Sequence, residues 1–175
     1  MSVSERFTVR VATESHAVQI SELARNIWNQ CYLEIISQEQ IDYMLNQRFS
    51  LPRLRDELSG KEQRYWMILS GSEAVGYGVL SLCPIDQRCK IQQIYIDVSV
   101  RGLGLGRRLL DTMTKEAALN GAQKVWLSVN RNNGNAIEFY RRLGFSLAGS
   151  VVTDIGKGFV MDDFLLEKSV LGVVE

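Results

Sequence analysis

A chain of 175 residues, 46% of them hydrophobic and with a formal net charge of zero, has the size and composition of one cored domain. Balanced charge leaves no electrostatic footprint for nucleic acid, no apolar run nears the roughly 20 residues of a membrane span, and Met1 to Arg10 carries no signal-peptide core. A single domain over 1–175 is expected, cytoplasmic, with no nucleic-acid and no membrane partner. Cys31, Cys83 and Cys89 are odd in number and lack metal-ligand spacing, so they read as reduced packing residues. His16 is the single histidine, which excludes multi-histidine metal sites, and its position reads as the exposed start of a helix. No metal is expected.

In chain order, Phe7 to Ala12 alternates as a first strand, and Thr13-Glu14-Ser15 offers caps for a helix carrying Val18, Ile20, Leu23, Ala24, Ile27 and Trp28. Ser37-Gln38-Glu39-Gln40 fits a capping box opening a second helix through Ile41, Met44 and Leu45. Pro52 starts a short helix, Leu54 to Leu58, that stops at Gly60. Tyr65 to Leu69 and Ala74 to Leu82 flank Ser70-Gly71-Ser72 and predict a hairpin. Residues 91 to 98, with Ile91, Ile94, Tyr95, Ile96 and Val98, read as a strand. The loop Arg101-Gly102-Leu103-Gly104-Leu105-Gly106-Arg107-Arg108 follows, then a helix with Leu105, Leu109, Leu110, Met113 and Ala117 on one face. Lys124 to Val129 predicts another strand. Asn133 then caps a helix with Ala136, Phe139, Tyr140 and Leu143 as its apolar stripe, and Gly144 ends it in the left-handed conformation. Strands near Leu147 to Val152 and Phe159 to Lys168 close the chain as a pair.

The loop at 101 to 108 carries chemistry because a strand feeding a helix through glycines aims unpaired backbone N–H groups at one spot, where the helix dipole also favours negative charge. A phosphate or pyrophosphate fits such a cradle, and the Arg107/Arg108 and Arg141/Arg142 pairs suit the same ligand. The glycines fall on alternate positions well into the chain, unlike a dinucleotide fingerprint, and no Lys-Ser/Thr follows them as a P-loop requires.

Arg101, Gly104 and Gly106 do meet the pattern Arg/Gln-x-x-Gly-x-Gly/Ala, which resembles the acetyl-coenzyme A loop of the GNAT superfamily of N-acetyltransferases. A second segment, Asn133-Gly134-Asn135-Ala136-Ile137-Glu138-Phe139-Tyr140-Arg141-Arg142-Leu143-Gly144-Phe145, resembles the family's Asn-x-x-Ala-x-x-Phe-Tyr stretch ending in Gly-Phe. The length and the tail 155 to 168 resemble small bacterial members that include polyamine acetyltransferases. The resemblance implies an α/β fold of the α+β kind, a mostly antiparallel mixed sheet flanked by helices, in which a central parallel strand pair, 91–98 and 124–129, splays apart. It also implies acetyl-coenzyme A as co-substrate. The pyrophosphate would rest on the amides of Gly102, Leu103, Gly104, Leu105, Gly106 and Arg107 beside Arg101. Backbone groups near Ile94 and Ile96 would pair with the pantetheine as another strand does, and Asn133 and Tyr140 would touch the same arm.

By the same resemblance, the acetyl group passes directly to the primary amine of a small, polyamine-like molecule or of a peptide. The alternative is a non-catalytic acetyl-coenzyme A-binding protein, and a homodimer is left open. Tyr140 is the candidate acid for the leaving thiolate. Many family members carry a Glu on the strand before the glycine loop, whereas this chain has Gln92 and Gln93, whose amides have no proton-accepting form near neutrality. Asp97, Asp154, Glu34, Tyr43 and a water relay are the substitutes considered, and spacing selects none of them.

Overall fold

The structure, a computed structural model, describes residues 6–82 and 86–170. Cys83 and the start of the N-terminal segment lie outside the described residues. Among the described residues, seven strands form one sheet in the order β1-β2-β3-β4-β5-β7-β6. They are β1 (Phe7–Val11), β2 (Gln63–Ser70), β3 (Glu73–Ser81), β4 (Arg88–Ile96), β5 (Lys124–Asn130), β6 (Ser146–Gly156) and β7 (Phe159–Ser169). Every neighbouring pair is antiparallel except β4 and β5, which run parallel.

Five α-helices of the described residues flank the sheet: α1 (Ala17–Cys31), α2 (Gln38–Arg48), α3 (Leu51–Ser59), α4 (Leu105–Leu119) and α5 (Gly134–Arg142). The two-residue period of β2 shows how the core divides. Trp66 and Ile68 join a cluster with Leu109, Met113 and Tyr140 from α4 and α5, while Tyr65, Met67 and Leu69 join one with Ile20, Ile27, Ile41, Leu45 and Leu54 from α1, α2 and α3. Both faces of the inner strands are thus covered. A Cβ on Gly78 would lie 2.9 Å from Met113 Sδ and 3.0 Å from Leu109 Cδ2, so the bare backbone there is what lets α4 lie close on β3.

Local signals act largely as the sequence predicts, with small displacements. Thr13 caps a single 3-10 turn, Glu14–His16, and α1 itself begins at Ala17. Ser37 does accept from Gln40 N, but the Gln40 side chain reaches Val160 O across the fold, so the capping box is only half made. The short helix is longer than its apolar positions suggested, opening at Leu51 with Pro52 in its first turn. Residue 98 is not in β4. Asp97 Oδ1 accepts from Ser99 N at 2.9 Å and Ser99 Oγ at 2.6 Å, and this cap winds Val98–Val100 into a 3-10 turn.

Candidate active site

The site follows from how little of β4 and β5 is joined. Their parallel register covers only Arg88↔Lys124, Cys89↔Val125 and Lys90↔Trp126, although β4 runs on to Ile96 and β5 to Asn130. Beyond Lys90 the strands diverge. On its other edge β4 stays paired with β3, and Asp97 N donates to Val75 O at 2.9 Å. That bond makes Gly76↔Ile96 a non-hydrogen-bonded pair, so the peptide groups of Ile96, and of Ile94 two residues back, point away from β3 into the gap. The register steps from Val79↔Gln93 to Leu80↔Ile91, leaving Gln92 as the extra residue of a β-bulge at the crotch of the divergence.

At the open end of the gap lies the glycine loop. Gly102 and Gly104 have φ of +79° and +76°, a region glycine occupies without strain, and a Cβ at either would meet nothing within 4 Å. Gly104 is the N-cap of α4 and offers no side-chain cap, while the first backbone bond of the helix is Arg108 N to Gly104 O at 3.0 Å. The N–H groups of Leu105, Gly106 and Arg107 therefore face outward at the positive end of a 15-residue helix. Gly106 has a different role: its missing Cβ makes room for the Phe139 ring, whose Cζ would stand 3.1 Å away.

The nearby arginines are not equivalent. Arg107 is exposed and only loosely paired with Asp111, at 3.9 Å, so its charge is available at the loop. Arg108 instead donates to Phe7 O at 2.7 Å and ties α4 to β1, and Arg141 and Arg142 both bind Glu138, whose pKa they hold down at about 2. Of the two pairs read from sequence as phosphate partners, three members are thus engaged in structure. Arg101 donates from Nε to Ile96 O at 3.1 Å and from Nη2 to Cys31 Sγ at 2.7 Å, spanning the edge of the gap. Cys31 therefore lines the site, whereas Cys89 is the buried packing residue expected.

A cavity of about 950 Å³ joins these parts. One end is the loop and the strand gap, with Asn133, Phe139 and Tyr140 of the α5 segment as a wall. Asn133 accepts from Ala136 N at 3.2 Å as a helix cap, which leaves its amide NH₂ for a ligand. Tyr140 is buried, stacked edge-on against Phe139 and Phe145, and its hydroxyl has no hydrogen-bond partner among the described residues. Burial pushes the phenol pKa up, so it keeps its proton through the physiological range. Leu103, the remaining loop residue, is exposed and does not line the cavity.

The other end opens over β5, β7 and β6. Trp126, Ser128, Met161, Asp163 and Leu165 contribute to its floor, while Tyr32, Glu34 and Arg48 come from the α1 and α2 side. Lys90 is half-buried with its ammonium 4.9 Å from the Trp126 ring centre; burial and then Arg48 lower its pKa. Tyr32 and Tyr95 share a 2.8 Å hydroxyl contact between the two ends. Met44, Arg48, Gln92, Gln93 and Ile155 also border a second cavity of about 400 Å³, so the two adjoin across the bulge. The arrangement offers an anion cradle at the open end of the gap, a slot for an extended chain between β4 and β5, and a trough over β5, β7 and β6.

Of the substitutes considered for the missing carboxylate, Asp97 is the turn cap described above and Asp154 accepts from Gly156 N at 2.8 Å. Tyr43 donates to Ile155 O, and Glu34 is exposed on the cavity lining. Sequence reasoning had no signal for Lys90 or Arg48 as site residues. Their meeting depends on strand pairing far apart in the chain. Among the described residues no group of His, Cys, Asp and Glu is placed to hold a metal ion, and no helix is long and apolar enough to cross a membrane.

A model of the acetyltransferase (GNAT) family matches residues 22–145. Streptothricin acetyltransferase of Streptomyces lavendulae is 35% identical over 77 residues, covering 44% of this chain and 41% of that protein. Peptidyl-lysine N-acetyltransferase YjaB of Escherichia coli K12 is 40% identical over 88 residues, 50% of this chain and 52% of the relative. The matches thus span about half the length of these two relatives. Spermine/spermidine N(1)-acetyltransferase of Bacillus subtilis is 27% identical over 126 residues, 66% of this chain and 79% of the relative. The PaiA N-acetyltransferase of Thermoplasma acidophilum, solved with coenzyme A, superposes with a TM-score of 0.81 at 23% identity, covering 93% of this chain and 98% of that one. It has the same fold.

Proposed function

Because this chain belongs to the acetyltransferase (GNAT) family, we propose that it moves the acetyl group of acetyl-coenzyme A to a primary amine of a small molecule or peptide. The observation that carries this is the β4–β5 divergence opening beside an uncapped helix N-terminus. The residues present fit the coenzyme. The outward N–H groups of Leu105, Gly106 and Arg107, with the turns at Gly102 and Gly104, take its pyrophosphate, and Arg107 adds charge for a further phosphate. The peptide groups of Ile94 and Ile96 pair with the pantetheine amides once Arg101 yields the Ile96 carbonyl. The Asn133 amide contacts the same arm.

The slot leads toward Tyr140, whose retained proton is the one the leaving thiolate takes up. The acceptor enters by the trough on the β5-β7-β6 side. Relatives named as N-acetyltransferases of peptidyl-lysine and of spermine/spermidine support an amine without choosing among them.

The test is thiol release from acetyl-coenzyme A over a panel of polyamines, lysine peptides, amino acids and aminoglycosides, with products identified by mass spectrometry. One acetylated amine and stoichiometric thiol are expected. Coenzyme binding by calorimetry with no thiol release on any amine would instead favour a non-catalytic acetyl-coenzyme A-binding protein, and no binding at all would end both readings.

A further inference from the structure

Five buried side-chain polar atoms among the described residues have no hydrogen-bond partner: Trp28 Nε1, Tyr77 Oη, Gln93 Oε1, Thr114 Oγ1 and Asp163 Oδ1. Two of them, Gln93 Oε1 and Asp163 Oδ1, are pure acceptors on residues that line the cavity, and only one belongs to an ionisable group. A buried carboxylate oxygen without a donor is costly in a folded protein. The donor that would satisfy it is a ligand N–H entering the trough.

Asp163 reaches this position through strand pairing. It lies opposite Asn130 at the end of β5 and opposite Val151 on β6, and with Met161 and Leu165 it lines the trough at alternate positions of β7. Charged and titratable groups face it from several elements: Arg48 from α2, Lys90 from β4 and Tyr32 just after α1, while Asp162, next to it on β7, pairs with Arg131 on the opposite face of the strand. Glu34 lies on the same cavity lining. Neither cation is within ion-pair distance, so the carboxylate is not locked in a salt bridge and stays available to a ligand.

We propose that Asp163 accepts the proton that the acceptor amine must lose, the task for which β4 offers only the amides of Gln92 and Gln93. The assignment rests on the acetyl-transfer reading above. The amine nitrogen forms its bond to the thioester carbonyl carbon while its N–H proton passes to the Asp163 carboxylate. The C–S bond then breaks, and the sulfur takes its proton from Tyr140. Release of the Asp163 proton to solvent and reprotonation of Tyr140 restore the starting state, so one acetyl group moves and no other reactant is needed. Burial raises the Asp163 pKa above the ordinary carboxylate value, with Arg48 and Lys90 opposing the rise, and this brings the carboxylate nearer the range useful to a base at neutral pH.

The experiment measures kcat and KM against pH for the parent, Asp163→Asn and Asp163→Glu, using acetyl-coenzyme A and the amine that the panel identifies. Calorimetry with coenzyme A and thermal melts run alongside. The parent should lose rate on the acidic side as a single group protonates. Asp163→Asn should bind coenzyme A normally, fall in kcat by about 10²- to 10⁴-fold, and lose that acidic limb; Asp163→Glu should keep the limb. An Asn variant with an intact limb and unchanged kcat, or with only a raised KM, overturns the assignment while leaving acetyl transfer standing. Should Asp163→Asn fail to melt cooperatively, the decision passes to Asp163→Glu, in which an acidic midpoint unshifted from the parent overturns it. A parent that releases no thiol with any amine overturns the underlying reading, and the assignment falls with it.

Discussion

Tyr140 is a buried residue on the cavity wall whose hydroxyl makes no hydrogen bond to a described residue, which separates its two conceivable roles. Removing an unpartnered hydroxyl costs little stability, because no bond is lost and the ring that packs on Phe139 and Phe145 remains. Tyr140→Phe should therefore melt like the parent and bind coenzyme A with the same affinity, yet turn over about 10²-fold more slowly or worse. Equal turnover in steady-state thiol release would reduce Tyr140 to packing. Asp163 yields an expectation of opposite character. Its folded-state pKa is raised by burial, so the native state binds more protons than the unfolded state between about 3.9 and the raised value, and stability falls as pH climbs through that window. Asp163→Asn removes this penalty. It should melt above the parent at neutral pH, with the difference shrinking as the pH drops below the window. Melting curves from pH 3 to 8 check it, and a parent that is the more stable at pH 7 would contradict the burial argument.

At the scale of elements, the structure separates two residues of α4 that the sequence does not distinguish. Arg107 and Arg108 are adjacent basic residues, but 108 turns back to the Phe7 carbonyl while 107 stays with the exposed loop. Arg108→Ala should lower stability by about 1.5–3 kcal/mol, the range for a hydrogen bond from a charged donor, with little effect on coenzyme affinity. Arg107→Ala should do the reverse. Paired denaturant titrations and coenzyme calorimetry decide between them. The difference marks what was legible in the chain. Caps, helical stripes and glycine turns are local, so α4, α5, the β2–β3 hairpin and the loop at 102 to 106 could be read from spacing, together with Asn133 as the cap of α5 and Tyr140 in its apolar stripe. The direction of a single guanidinium, the turn that ends β4 at Ile96, and the exposure of Asp163 to the trough depend on chain segments tens of residues away. No periodicity encodes them.

For the whole molecule, the coenzyme would touch groups that the fold already holds in place, so its binding should appear as stability. Linkage gives about 2.7 kcal/mol at a concentration one hundred times the dissociation constant. At about 2–4 °C per kcal/mol for a protein of this size, that is a rise of roughly 5–11 °C in Tm. Differential scanning fluorimetry across a coenzyme A series, compared with free pantetheine and with inorganic pyrophosphate, measures the share contributed by each end of the slot. A flat Tm under saturating coenzyme would contradict the site as described.

Only three residue pairs register β4 against β5, and this has a mechanical consequence. The sheet behaves as two leaves, β1 to β4 and β5-β7-β6, fastened by a short spine at Arg88 to Lys90 and backed by the core around α4. A molecule lying in the slot with its amides bonded to β4 and its headgroup on α4 works as a rivet between leaf and backing, replacing ladder bonds that the chain itself never forms. Amides at 94 and 96 should then exchange hydrogen with water quickly in the free protein and slowly in the loaded one, although no strand has moved. Loading would be legible in the sheet's own exchange pattern, as the closing of a seam.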